Sequence, residues 1–193
     1  MDVDADLVEM LRRGEPQAVE ELVERHGDRL YRLAARITGR PDAAEAVVGD
    51  SLRFAAENID RFRGVAGFEP WLSRIAAKAA YQAASRRQVP KDLVLDDVLP
   101  ALGSEGRHFE PMADWTSGGD ARIGQGRLGE ALADALDALP ADYRTALVLR
   151  DIEGWSAEDV ASTLGVSVPV AKTRVHHARL FVRQRVSNVL RVA

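Results

Sequence analysis

Apolar residues recur at three- and four-residue steps through most of this chain, and that spacing predicts helices. Val19, Leu22, Val23, Leu30, Leu33, Ala34 and Ile37 form one such face, closed by Gly39-Arg40-Pro41. Asp42 stands where it would cap a second helix, with Glu45 at its N3 position and Val47, Val48, Leu52, Ala55 and Ile59 as the apolar face. Residues 61–69 read as a short loop that carries Phe62, Gly64, Gly67 and Phe68. A third helix is expected from Pro70, with Leu72, Ile75, Ala76, Ala79 and Ala83 inward. Periodicity then disappears over residues 88–127, where Pro90, Pro100 and Pro111 and scattered Gly and Ser break any run. A stretch of about 40 residues is too long for an ordinary loop, so it reads as a flexible acidic tether with at most a short helix at 94–99. Helical spacing resumes with Leu128, Ala131, Leu132, Ala135, Leu136 and Leu139, and Pro140 opens a further helix with Tyr143, Leu147 and Leu149.

The last third has the plan of a helix-turn-helix. Ser156 can cap a first helix with Asp159 at N3, Val160, Ala161 and Leu164 supply its apolar face, and Gly165 suits the left-handed position that ends it. Ser167 can cap a second helix, and Pro169 falls in its first turn, where a missing N–H is harmless. Lys172, Arg174, His177, Arg179 and Arg183 stud that helix. Such a helix fits the major groove of duplex DNA. Charge supports this reading. The chain carries a formal net charge of −4, yet beyond Ser156 the six Lys and Arg face only Glu158 and Asp159.

Composition narrows the classes. Hydrophobic content of 46% suffices for a core, and Ala, Leu, Arg and Glu dominate, which favours an all-α protein. Cysteine is absent, so disulfides and thiolate chemistry are excluded. No apolar run approaches the roughly 20 residues of a membrane span, and the acidic start is unlike a signal peptide, so no membrane insertion and a cytoplasmic location are expected. There is no Gly-rich phosphate loop, and His26, His108, His176 and His177 lack ligand spacing. Asp2, Asp4 and Asp6 resemble the start of a calcium loop without its remaining ligands. No enzyme activity, cofactor or metal is expected.

Taken in order, the motifs resemble the extracytoplasmic-function class of bacterial sigma-70 factors. The run LDALPADYRTALVLRDIEGWSAEDVASTLGVSVPVAKTRVHHAR is similar to that family's region 4, and Tyr31-Arg32-Leu33-Ala34 with IDRFRGVAGFEPWLSRIA to its region 2. The resemblance implies an all-α chain of two small helical domains on a long flexible linker. Its parts are an acidic N-terminal tail (1–15), a region 2-like domain (16–87), the acidic linker (88–127) and a region 4-like helix-turn-helix domain (128–193). It also implies the function: directing RNA polymerase to promoters and helping to open the −10 DNA. The implied partners are the polymerase core (beta and beta-prime subunits), promoter DNA and an anti-sigma factor.

Site residues follow from the same resemblance. Ser167, Lys172, Thr173, Arg174, His177 and Arg179 would meet the −35 element, with Arg183 and Arg185 only solvating the outer face. The −10 set would be Arg61, Phe62, Arg63, Phe68, Trp71, Arg74, Lys78, Arg86 and Arg87, since strand opening needs a place for an unstacked base and basic and aromatic groups for the single strand. Of these, Phe68 and Trp71 are expected to brace the loop. Glu45, Val48, Asp50, Leu52 and Arg53 would form the polymerase-binding face. Departures from the family pattern fall at Ala43 and Ala46 (usually acids), Gly49 (usually Gln), Lys78 (usually Asn), Gln82 (usually Asp) and His177 (usually Arg). Two other readings share many of these features: a degenerate sigma that titrates partners, and a dimeric helix-turn-helix regulator.

Overall fold

The computed structural model describes residues 4–64, 67–86 and 121–191, with side chains over 128–188 of the last stretch. Every regular element among them is helical. The chain divides into two compact units.

In the N-terminal unit α1 (Ala5–Arg13), α2 (Ala18–Thr38) and α3 (Pro41–Glu57) are joined by short turns, and a 3₁₀ turn (Ile59–Arg61) follows α3 before α4 (Phe68–Ser85). Helices α2, α3 and α4 pack on one another and α1 lies on α2. The seam is built from Leu22, Leu30, Leu33, Ile37, Val47, Leu52, Phe68 and Leu72, all buried. Ala34, Ala44, Ala55, Ala76, Ala77 and Ala80 are buried too, and side chains this small let helix axes approach closely. Gly39, at φ 67°, closes α2, and its N–H donates to the Ala35 carbonyl at 2.8 Å.

Several expectations are corrected in this unit. Residues 5–13 are a helix rather than a tail. Leu7, Val8 and Leu11 are buried, and Gly14, at φ 66°, ends the helix. The acids that look like tail charges have partners: Asp4 lies 3.2 Å from His26 Nε2, and Asp6 takes both Nη atoms of Arg25 at 2.9 and 3.1 Å. Asp42 is no cap; Pro41 starts α3, and Asp42 sits in the first turn, bonded by Arg40 Nε at 3.0 Å. Helix α4 begins at Phe68, two residues before Pro70, because Gly67 (φ 80°) turns the chain there. Val19 and Val23 are half-exposed: Ala18, Leu22 and His26 hold the inward line of α2, and the valines sit about 100° to one side of it.

The C-terminal unit comprises α5 (Ala121–Asp137), α6 (Ala141–Leu147), a π-helical turn (Val148–Ile152), α7 (Ala157–Leu164) as far as Ala161, and α8 (Val168–Arg191). Most of the expected linker, the short helix at 94–99 and Arg87 lie outside the described residues. Residues 121–127, assigned to that linker from their glycines, already belong to α5. The roughly 1 kcal/mol that each helical Gly costs relative to Ala does not stop it. Leu139, Leu147, Ala178 and Phe181 form the core, flanked by Leu136, Tyr143 and Val182. Leu132 is 39% exposed, off the expected inward face. Arg144 is buried at the end of α5, where its Nε donates to the Leu136 carbonyl at 2.8 Å and its Nη2 to that of Asp137. It adds to the Leu139 N–H that the Leu136 carbonyl already accepts at 3.1 Å, and places its charge at the negative end of the α5 dipole.

Candidate nucleic-acid interface

Helix α8 reads outward along one line and inward along another. Ala171, Val175, Ala178 and Phe181 are buried at helical steps. Lys172, Thr173, His176 and Arg179 are therefore left exposed. The turn before α8 is made by Gly165 at φ 66°. Helix α7 is capped by Ser156, whose Oγ accepts from the Asp159 N–H at 3.0 Å. The Asp159 carboxylate accepts from the Ser156 hydroxyl at 2.8 Å, whereas a full capping box would have it accept the Ser156 backbone N–H.

Two of the expected DNA contacts are committed inside the domain. Arg174 is turned toward α6, where its Nη2 pairs with Asp142 at 2.6 Å, and its side chain is only 20% exposed. His177 is half-buried and stacks on Tyr143 with ring centroids 6.5 Å apart and an interplanar angle of 17°. Both residues lie on the flank of α8 that packs against α6, and this corrects their placement among freely presented readers. Arg179 is exposed but forms a two-pronged pair with Asp151, at 2.8 Å from Nε and 2.6 Å from Nη2. That hydrogen-bonded carboxylate raises the Arg179 pKa. Ser167 is exposed immediately before α8, and Thr173 Oγ1 donates back to the Pro169 carbonyl at 3.1 Å. Arg183 and Arg185 are exposed, and Arg185 lies over the Phe181 ring at 5.8 Å.

Sequence reasoning overlooked Arg150 and His176. The π-helical turn makes room for the first: the run from Arg144 to Leu149 is buried, and the turn then brings Arg150 to the surface. Arg150 and the α8 residues Lys172, His176 and Arg179 line a cleft of about 230 Å³ floored by Val160 and Val175. Arg150, Lys172 and His176 around one concavity beside an outward helix face, with Arg179 held at its edge by Asp151, suit a polyanion backbone. No spacing rule in the sequence joins Arg150 to α8.

In the N-terminal unit the expected −10 residues divide by chemistry. The cations face outward: Arg61, Arg63, Arg74, Lys78 and Arg86 are exposed, and Arg74, Lys78 and Arg86 follow one line of α4 at four-residue steps through Gln82. The aromatics face inward. Phe68 is fully buried and Phe62 is 6% exposed, which removes both from direct contact with a strand. Phe62, Phe68 and Trp71 form a cluster with centroids 5.5–5.7 Å apart, and His26 meets Phe68 edge-on. Trp71, half-buried, keeps part of its ring at the surface.

On α3 the expected polymerase face is largely exposed: Glu45, Asp50 and Arg53 point outward, and Val48 is half-buried. Leu52 is the exception. It is 5% exposed and belongs to the core, because it shares the inward line with Ala44, Val47, Ser51 and Ala55. Phe54, unremarked in the sequence, is 43% exposed and adds an apolar element to the same outward face.

Comparison with known proteins names the family. Residues 22–89 match the model of Sigma-70 region 2 and residues 129–182 that of Sigma-70, region 4. The chain is 30% identical to the ECF RNA polymerase sigma-E factor of Haemophilus influenzae, over 97% of each chain. It is 31% identical to the RNA polymerase sigma-H factor of Pseudomonas aeruginosa, over 98% of this chain and 97% of that one. The chain belongs to the extracytoplasmic-function class of the sigma-70 family. Against the ECF sigma factor SigE of Mycolicibacterium smegmatis, at 32% identity, this sigma factor aligns over 85% of its own length and 60% of the relative's. Two solved structures share its fold, each at 24% identity. One is the sigma factor RpoE in complex with the anti-sigma factor NepR from Bartonella quintana, with a TM-score of 0.55 over 91% of this chain and 98% of that one. The other is CnrH in complex with the cytosolic domain of CnrY, with a TM-score of 0.57 over 99% of each. This sigma factor binds RNA polymerase and directs it to promoters in transcription initiation. Among its described residues no helix is long and apolar enough to cross a membrane, and none group into a cluster of three metal-ligating side chains.

Proposed function

We propose that this sigma factor acts in the cytoplasm, without catalysing a reaction itself, by dividing promoter reading between its two units. The C-terminal unit takes the −35 duplex through Lys172, Thr173, His176 and Arg179 on α8, with Ser167 at the mouth of the helix and Arg150 on a neighbouring phosphate. The N-terminal unit takes the −10 strand through Arg61 and Arg63, the exposed edge of Trp71, and the α4 cations Arg74, Lys78 and Arg86. Arg87 is assigned to the same set from its motif position. The polymerase face is Glu45, Val48, Asp50, Arg53 and Phe54 on α3. The observation that carries this reading is the cationic cleft beside α8, which presents charge to a backbone and side chains to a groove at one place. An anti-sigma protein is a further proposed partner, since the sigma factor RpoE, which shares this fold, was captured with the anti-sigma factor NepR.

The decisive experiment is transcription in vitro from a randomised promoter library with purified core polymerase. Promoter-specific transcripts that require this chain, and that fall when Lys172 or Arg179 is replaced by alanine, support the division. Core binding without transcripts would instead make the chain a titrating decoy. Dimeric binding to palindromic duplex without core would overturn the polymerase-dependent role of the two units.

A further inference from the structure

Arg12 lies in the stretch that composition assigns to an acidic tail. From the last turn of α1 it reaches the segment after α3, where its Nη2 donates to the backbone carbonyl of Phe62 at 3.2 Å, 50 residues away in sequence. Its Nη1 lies 3.6 Å from Glu9. Phe62 is extended, at φ −72° and ψ 114°, and follows the single 3₁₀ turn Ile59–Arg61. Its carbonyl therefore has no helical partner, and Arg12 supplies one. The ring of the same residue is held by Phe68 and Trp71. Phe62 is thus fixed at backbone and side chain together, and the exposed Arg61 and Arg63 leave the surface from either side of it.

Helix α1 is itself firmly seated. Leu7, Val8 and Leu11 are buried, Asp4 meets the buried His26, and Asp6 meets Arg25. His26 touches Phe68, the centre of the aromatic cluster. A continuous set of contacts therefore runs from α1 to residues 61–64.

The geometry points to Arg12 as a positioning residue that holds residues 61–64 in the form in which Arg61 and Arg63 meet promoter DNA. This rests on the −10 reading of that segment proposed above. A segment that must be ordered on binding loses affinity to that ordering, and a charge-assisted bond to the Phe62 carbonyl holds it ordered beforehand.

The test uses the full chain with core polymerase on a promoter recovered from the library, as intact duplex and as a version already mismatched through the −10 element. Arg12→Met keeps the aliphatic stem and loses the donor; Arg12→Lys keeps a donor. Arg12→Met is expected to lower open-complex formation on intact duplex about tenfold, and capture of a single-stranded −10 oligonucleotide by a similar factor. Core affinity and the melting temperature of the free protein should stay near wild type, and Arg12→Lys should recover most of the loss. Wild-type opening by Arg12→Met overturns the inference. So does a loss that Lys does not relieve, or one that core affinity shares in proportion. If the wild-type chain yields no promoter-specific transcript, it is the underlying reading that fails, and the two failures are thereby told apart.

Discussion

The two nucleic-acid faces of this sigma factor are built in opposite ways. Beyond its first turn, where Val170 is exposed, α8 meets solvent mainly with polar and cationic residues, and the helix beneath them is apolar at regular steps, so a rigid element decides what is presented. Around residues 61–71 the residues with the most obvious affinity for bases are largely withdrawn: Phe62 and Phe68 are buried and only part of Trp71 is open. Cations there are presented by a segment held from below by those rings. The lesson is that an aromatic in a nucleic-acid motif can act as the anvil for a loop, while the charged neighbours make the contact.

The largest expected effect separates the two faces directly. Phe68→Ala should destabilise the N-terminal unit by about 3–5 kcal/mol, since a fully buried ring leaves a cavity. Calorimetry should show one lowered transition while duplex binding by the C-terminal unit persists. Retention of normal stability would mean that the ring is no anvil.

Arg174 and Lys172 sharpen the same contrast within α8. Arg174→Ala is expected to cost about 1 kcal/mol of stability in the C-terminal unit, because it removes an ion pair whose arginine side chain is only 20% exposed. The dependence of duplex binding on salt should keep its slope. Lys172→Ala should do the reverse: leave stability within about 0.5 kcal/mol and weaken duplex binding with a shallower salt slope, by about one unit. Exchange of these two phenotypes would reverse their assigned orientations.

How far the sequence discloses these features depends on what fixes each one. Apolar spacing orients α3 and α8 well, so the outward positions of Lys172, Thr173, Glu45 and Asp50 are readable before any coordinates. Spacing is silent on pairs formed between elements. Nothing local ties Asp142 to Arg174 or Asp151 to Arg179, and the first of these bonds is what turns Arg174 inward. α1 escapes notice because the opening stretch MDVDADLVEM, which overlaps its first turns, is acidic, although Leu7, Val8 and Leu11 already have helical spacing. Leu52 and Phe54 are both apolar and two apart, so alternation of burial on a helix separates them only once the inward line of α3 is known.

Smaller effects test the polymerase face and the acid limits of the fold. Gly49 sits exposed in α3 with nothing within 4 Å of where a Cβ would stand. Gly49→Ala should therefore stabilise the N-terminal unit by about 0.5–1 kcal/mol, measured by denaturant midpoint. A fall in core affinity in the same variant would show that polymerase approaches the backbone there. The smallest expected effect comes from acid. The Arg25 guanidinium beside Asp6 and the Arg40 guanidinium beside Asp42 hold both carboxyls below their ordinary value of 3.8. A depressed folded-state value means that their contribution is present at neutral pH and lost as pH falls through that value. Melting temperature should drop below about pH 4, and Asp6→Asn with Asp42→Asn should soften that drop slightly.

One consequence of the inward and outward lines of α8 concerns retargeting. Ala171, Val175, Ala178 and Phe181 bind the helix to its own domain, and Arg174 and His177 are engaged by α6. The positions at which promoter preference can be rewritten without touching the fold are then Ser167, Lys172, Thr173 and His176. A combinatorial library confined to those four should yield folded proteins of altered specificity, and one extended to Arg174 or His177 should yield proteins of lowered stability as well.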